Sequence, residues 1–407
     1  MTVIKDSVHN HINVKGVARA LLDTPAMQRL RRISQLGTVQ FVYPSANHSR
    51  FEHSLGVYHL VTKAIDTLDI QGIQMKRLQA AALLHDIGHG PYSHNIELVT
   101  HRYTGKYHDD VDEIIHTESI SDTLREYGLD PTHIANLITG DETYGQLIAG
   151  ELDVDRMDYL VRDAHHTGVP YGTIDHERLI NGLTFADGEL VLGAGNVQTA
   201  ESLLVARALM NPVVYQHHVA RIAKAMLRQA AERLLKETDI SATELRRMDD
   251  YELFVTLRKV SETKRLAKRL DERRLFKRAM WAEFSAVPPR VREMSYEELR
   301  EAEAEIATQL ETDPTSVIID VPPTPTMTES TSRVIVSGEI RQLSDESPLV
   351  SALRTAQKQQ WRMGVYVPAK MAAEAGAYAT NLLGIEEDGS FITEYETPLT
   401  TLDDFTT

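Results

Sequence analysis

The sequence predicts a mainly α-helical protein, with a small β-hairpin inserted in the helical part and a small α+β module at the C-terminal end. Three observations carry this expectation. Apolar residues recur at helical spacing from Leu55 to Leu84 and again from Leu152 to Val161. The stretch Leu183–Leu192 alternates around Asp187-Gly188, a tight hairpin turn pair. After residue 313, short β-branched runs and proline connectors replace the long helical patterns.

The chain of 407 residues allows two or three domains. The expected boundaries are a helical core over 1–285, with its hairpin at about 183–192, a connecting helix over 286–312 and an α+β domain over 313–407. The net charge of −16 argues against a dedicated duplex-DNA binder, so nucleic acid is not an expected partner. There is no cysteine, so any metal must be held by imidazole and carboxylate. No apolar run is long enough to span a bilayer and no secretory signal opens the chain, which makes a cytoplasmic protein the expectation. Arginine outnumbers lysine, 30 to 13, and with the excess of acids this is compatible with a salt-rich cytoplasm.

In chain order, Thr2-Val3-Ile4 opens a strand and the following residues a turn. A helix is expected over Gly16–Leu22, and Thr24-Pro25 caps another over Ala26–Gln35, carrying Arg29, Arg31 and Arg32. Ser49 begins a helix through Leu68 with His53 in its first turn. The next helix begins near Met75 and ends in Leu84-His85-Asp86-Ile87-Gly88-His89-Gly90-Pro91-Tyr92-Ser93-His94. His85 and Asp86 in its last turn lie about 100° apart around the axis, so both can reach one ion off that edge. Two adjacent ligands cannot close a site alone. Nine of the 17 histidines fall between His48 and His116. A second charged cluster, Glu151–Asp163, sets Asp155, Tyr159 and Arg162 on one side of a helix with Asp158 close by; by itself it reads as a helix with internal ion pairs.

Beyond the hairpin, helices are expected from about Val197 to Thr238. Arg258–Arg278, with ten basic residues against three acids, continues in a helical pattern that reads as a solvated basic face. Ser295 and Glu298 form a capping box. The tail reads as strands at Ser316–Val321, Arg333–Ser337 and Met363–Val367, with helices at Leu349–Gln360 and Ala369–Leu383 and disordered acidic residues at the end.

His53, His85-Asp86 and Asp155 match the H…HD…D signature of the HD-domain phosphohydrolases. The flanking words Arg50-Phe51-Glu52-His53-Ser54, His85 through His94 and Asp153-Val154-Asp155-Arg156-Met157-Asp158-Tyr159 resemble the branch that contains the deoxynucleoside triphosphate triphosphohydrolases. The similarity runs from about residue 1 to 235.

That resemblance implies an HD-domain helical bundle holding a divalent metal ion on His53, His85, Asp86 and Asp155. Manganese, magnesium or iron suits the carboxylates, and zinc, nickel or cobalt suits the imidazoles. It implies catalytic roles for His89, His94 and His116, although Thr117 stands between His116 and Glu118 where the family has glutamate directly. Arg50, Arg156 and Arg207 would meet a triphosphate. Gln35, Tyr159 and Asp163 would meet the sugar, and Tyr215 and His217 the base; Asn211 stands where triphosphatase relatives tend to have histidine. Asp23, Gln28 and Arg31 match positions that bind an activating nucleotide between subunits in regulated relatives, with Thr2 in place of the accompanying lysine. The implied reaction is release of deoxynucleoside and triphosphate from a dNTP by a homo-oligomer. Hydrolysis of another nucleotide or phosphoester, or a non-catalytic nucleotide- or nucleic-acid-binding regulator, are the alternatives.

Overall fold

The computed structural model describes residues 2–325 and 332–385, and most of those residues are helical. The helices used below are α1 (Arg50–Thr67), α2 (Gly72–Leu84), α3 (His94–Thr104), α4 (Val154–Thr167), α5 (Val197–Met210), α6 (His218–Glu237), α7 (Tyr296–Gln309) and α8 (Ala372–Leu383). The strands are β1 (Thr2–Asp6), β2 (Asn10–Val14), β3 (Leu183–Ala186), β4 (Glu189–Leu192), β5 (Lys277–Glu283), β6 (Ile318–Asp320), β7 (Arg333–Val336), β8 (Glu339–Gln342) and β9 (Arg362–Val367).

One compact unit comprises residues 2–273 with 332–355. Its core is the buried face of α1, α2 and α4, where Leu60, Leu78, Leu83, Met157 and Leu160 are fully buried. β1 and β2 form an antiparallel hairpin with Ile4 opposite Ile12. The expected hairpin is β3–β4, turning at Asp187 and Gly188, both with positive φ. β7 extends it through a parallel pairing of Leu192 with Val334, and β8 closes the edge.

The other unit comprises residues 274–325 with 356–385. Its sheet has β9 between β5 and β6, all antiparallel. As befits a central strand, β9 is buried from Met363 to Val367. α7 and α8 pack on this sheet around Ile306, Val365 and Ala379.

This division differs from the expected boundaries at 285 and 313. β5 takes its hydrogen bonds from β9, which draws residues 274–285 into the second unit, and β7–β8 joins the sheet of the first. The helical pattern of Arg258–Arg278 also stops early, at Asp271, and strand β5 follows. Within the expected run of helices from Val197 to Thr238, α5 and α6 are separated at Asn211–Tyr215, because Pro212 has no N–H to donate and its ring blocks a regular turn. The acidic tail lies outside the described residues. Among the described residues no helix is long and apolar enough to cross a membrane.

Candidate active site

The metal quartet is assembled by three helix ends. A capping box, in which Ser49 N donates to Glu52 Oε2 at 2.6 Å, starts α1 so that Arg50 and His53 enter the core in its first turn. α2 stops at Leu84, and His85 caps it while Asp86 and Gly88 turn the chain. Only glycine fits at Gly88, where a Cβ would lie 2.0 Å from the carbonyl of His108. Asp153 caps α4 by accepting from Arg156 N at 2.8 Å, which sets Asp155 in its first turn.

His53 Nε2 lies 2.8 Å from Asp155 Oδ1 and 3.7 Å from Asp86 Oδ2, while His85 Nε2 lies 3.4 Å from Asp86 Oδ1 and 3.8 Å from Asp155 Oδ1. Each imidazole is oriented from behind: His53 Nδ1 donates to Asp158 Oδ2 at 2.8 Å and His85 Nδ1 to the carbonyl of Ala82 at 2.9 Å. With Nδ1 committed in each ring, Nε2 is the atom left to face the carboxylates. Burial opposes charge on His53, but Asp155, Asp158 and Asp86 outweigh it and push the pKa up to about 10. Carboxylates that favour a proton this strongly equally favour a divalent cation in its place. Two imidazoles and two carboxylates fit a hard or borderline ion. The structure thus brings His53, His85, Asp86 and Asp155 together.

A second histidine group adjoins the quartet. His89 Nε2 lies 3.3 Å from Asp86 Oδ1, and its ring stacks on His108 at 4.2 Å. Glu97 accepts from His94 Nδ1 at 2.8 Å and from His108 Nδ1 at 2.6 Å. By distance, His89, His94, Glu97 and His108 could also hold an ion. Glu97 is shared by the two Nδ1 donors, and the rings of His89 and His108 lie parallel. Although burial favours a neutral Glu97, the two imidazoles hold its pKa far below the usual carboxylate range. Glu97 in turn raises the pKa of His108 against the effect of burial, while burial lowers that of His89.

The turn that delivers His94 is strained. Tyr92 and Ser93 have φ of 56° and 54°, a region costing about 1–3 kcal/mol for each side chain. It is held by Asp250, whose carboxylate accepts from Tyr92 N at 2.6 Å and Ser34 Oγ at 2.6 Å, and by Arg50 Nε, which donates to Ser93 Oγ at 2.8 Å.

A cavity of about 350 Å³ opens beside the quartet. Gln35, Arg50, His94, Tyr159, Asp163, Arg207 and Tyr215 line it, as does Asn211, along with Gln216, Arg221 and Lys224, which were not singled out as site residues. Asp163 is fixed from two sides, by Tyr215 OH at 2.9 Å and His48 Nε2 at 2.8 Å. Arg156 lies elsewhere, on a second cavity of about 610 Å³ that also reaches His85, His108 and Asp155.

Two expected site residues are not brought in. His116 donates Nδ1 to the carbonyl of Asp112 at 2.9 Å and sits 3.4 Å from Thr132 Oγ1, carried away by the short helix Asp112–Ile115. His108 stands beside His89 and His94 instead. His217 caps α6, its Nδ1 accepting from Val219 N at 3.2 Å, so Gln216 reaches the cavity in its place. Of the regulatory positions, Arg31 donates to Gln28 Oε1 at 2.9 Å and lies over the Phe51 ring, whereas Asp23 pairs with Arg19. Sequence reasoning missed His108 and Glu97. Glu97 was visible as the residue one helical turn after His94, and His108 only as one histidine among nine.

The HD domain family model matches residues 50–163, and that of the HD associated region matches residues 174–394. An uncharacterised protein of Methanocaldococcus jannaschii is 33% identical over 387 residues, covering 92% of this chain and 81% of that protein. The deoxynucleoside triphosphate triphosphohydrolase SAMHD1 homolog of Dictyostelium discoideum is 33% identical over 262 residues, covering 58% of this chain. The chain spans about half of that relative, 51% of its length. Among solved structures, a phosphohydrolase from Bacteroides thetaiotaomicron superposes with a TM-score of 0.74 at 26% identity, covering 90% of this chain and all of that one. The chain therefore belongs to the HD-domain superfamily of metal-dependent phosphohydrolases, on the side of it where the SAMHD1-like proteins lie.

Proposed function

We propose that the protein hydrolyses deoxynucleoside triphosphates to deoxynucleoside and inorganic triphosphate. The observation that carries this reading is the 350 Å³ cavity, whose wall holds Asp86 and Asp155 of the quartet together with Arg50, Arg207, Arg221 and Lys224 and with Tyr159, Asp163 and Tyr215. The four basic residues suit a polyphosphate. Asp163, held by Tyr215 and His48, keeps lone pairs for the 3′-hydroxyl of a sugar, and the rings of Tyr159 and Tyr215, with centroids 6.2 Å apart, line the same cavity, where they would pack against that sugar. A divalent ion on His53, His85, Asp86 and Asp155 would polarise phosphoryl oxygens and lower the pKa of water. Hydrolysis at the α-phosphorus breaks its bond to the 5′ oxygen, which must gain a proton. The pair of His94 and His108, joined through Glu97, holds a proton within reach of the cavity and can supply it.

Purified protein with manganese or magnesium and mixed dNTPs should yield deoxynucleoside and triphosphate; absence of metal-dependent product from any dNTP would remove the reading. The same assay with and without GTP tests an activating role for the Asp23, Gln28 and Arg31 surface, and sedimentation tests a homo-oligomer. The 610 Å³ cavity, which is lined by His85 and Asp155 of the quartet and by Arg156, favours a second reading in which another nucleotide phosphoester is cleaved, and product analysis separates the two.

His108→Asn should lower kcat by about 10²–10⁴-fold, the range for a lost acid–base group, whereas His116→Asn should leave it within about threefold of wild type. Equal effects in single-turnover assays would reverse the assignment.

A further inference from the structure

We propose that the N-terminal hairpin is part of the metal centre, with His9 at its tip positioning the ligand His53 through Asp158. The inference rests on the metal quartet and not on which nucleotide is cleaved.

The hairpin tip is built to present His9. Asp6 Oδ1 accepts from Val8 N at 2.9 Å and from His9 N at 2.7 Å, which folds the residues after β1 back over the carboxylate and turns the imidazole inward. His9 Nε2 then lies 2.6 Å from Asp158 Oδ1, with the two side chains 2% and 0% exposed. On its outer side the ring meets His59 and His176, with centroids 5.0 and 5.5 Å away.

Asp158 is the junction. Its Oδ2 accepts from His53 Nδ1 at 2.8 Å and Arg162 Nε at 2.8 Å, and its Oδ1 from His9 Nε2 and, at 3.0 Å, a terminal nitrogen of Arg162. Arg162 also grips Asp6 at 2.9 Å, which ties the hairpin to the same carboxylate a second time. α1 admits this junction only because residue 56 is glycine; a Cβ there would stand 1.8 Å from Asp158 Oδ1.

An ionised carboxylate only accepts, so His9 Nε2 and His53 Nδ1 both carry their hydrogens, and His53 is held in the tautomer that offers Nε2 to a cation. The Asp χ2 torsion is soft. With His9 gone, Oδ1 keeps only the terminal nitrogen of Arg162, and the carboxylate that aims His53 loses one of its four hydrogen bonds. His9 is thus a positioning residue that acts on a ligand it does not touch.

The test is calorimetric titration of manganese into full-length protein stripped of metal by chelator, without nucleotide. His9→Ala should weaken binding about tenfold, the low end of the effect of outer partners of metal ligands, and His9→Gln, whose amide can donate to the same oxygen, should restore it to within about threefold. Wild-type affinity in His9→Ala, or His9→Gln binding as weakly as His9→Ala, would overturn the proposal. If His9→Ala does not fold, His9→Leu takes its place, because it fills a similar volume without a donor; unchanged manganese affinity in it would be equally fatal. A wild-type protein that binds manganese but cleaves no dNTP would sink the substrate reading and leave this result standing.

Discussion

Replacing Asp86 by alanine should abolish both metal retention and hydrolysis. One carboxylate serves four neighbours: it lies 3.4 Å from His85 Nε2, 3.7 Å from His53 Nε2 and 3.3 Å from His89 Nε2, and accepts from Arg50 at 2.9 Å. Burial favours its neutral form, but Arg50 and the imidazoles hold its pKa well below the usual range, so it remains an anion. Alanine removes a ligand and also leaves the Arg50 cation uncompensated beside the remaining ones, so a divalent ion meets repulsion where it met attraction. A drop in turnover of at least about 10³-fold, or about 4 kcal/mol, is the expected size. Metal content by mass spectrometry should fall with it. A variant that keeps a full metal equivalent and more than a tenth of wild-type turnover would contradict this account of the centre.

The largest effect on stability should come from Arg162→Met. Arg162 is fully buried and bridges Asp6 and Asp158. Both carboxylates stay buried when it is removed, and breaking a buried pair in this way costs about 3–5 kcal/mol. Urea unfolding of metal-free protein at pH 7 measures the loss directly. Arg19→Met provides the contrast, because its partner Asp23 is exposed and such surface pairs contribute about 1 kcal/mol or less. Similar losses in the two variants would show that burial does not govern the Arg162 network.

The legibility of the sequence followed the reach of each interaction. α1, α2 and α4 were readable because periodic apolar residues and local caps specify them, and His53, His85, Asp86 and Asp155 sit at their ends. Within the expected run of helices from Val197 to Thr238 the break itself was not placed, although proline at 212 announces it. β5 was hidden for a different reason: its partner β9 lies about 80 residues further on, and the basic residues before it mimic a helix face. His108 and His116 are both histidines shortly before a helix, so local pattern could not choose between them. Contact with Glu97 made the difference, and that depends on how the 105–111 segment folds back over Gly88. His9 was invisible as a site residue because 149 positions separate it from Asp158.

The strained turn before His94 also sets a schedule. Asp250, which anchors Tyr92, lies 158 positions later in the chain. At roughly 5–20 residues per second of synthesis, the ribosome exposes that anchor about 8–30 s after the turn itself. A nascent chain can therefore complete the metal quartet, whose last member is Asp155, well before it can hold His94 in place. The turn that carries His94 thus depends on a residue far outside the HD segment, which leaves the ribosome after all four candidate ligands.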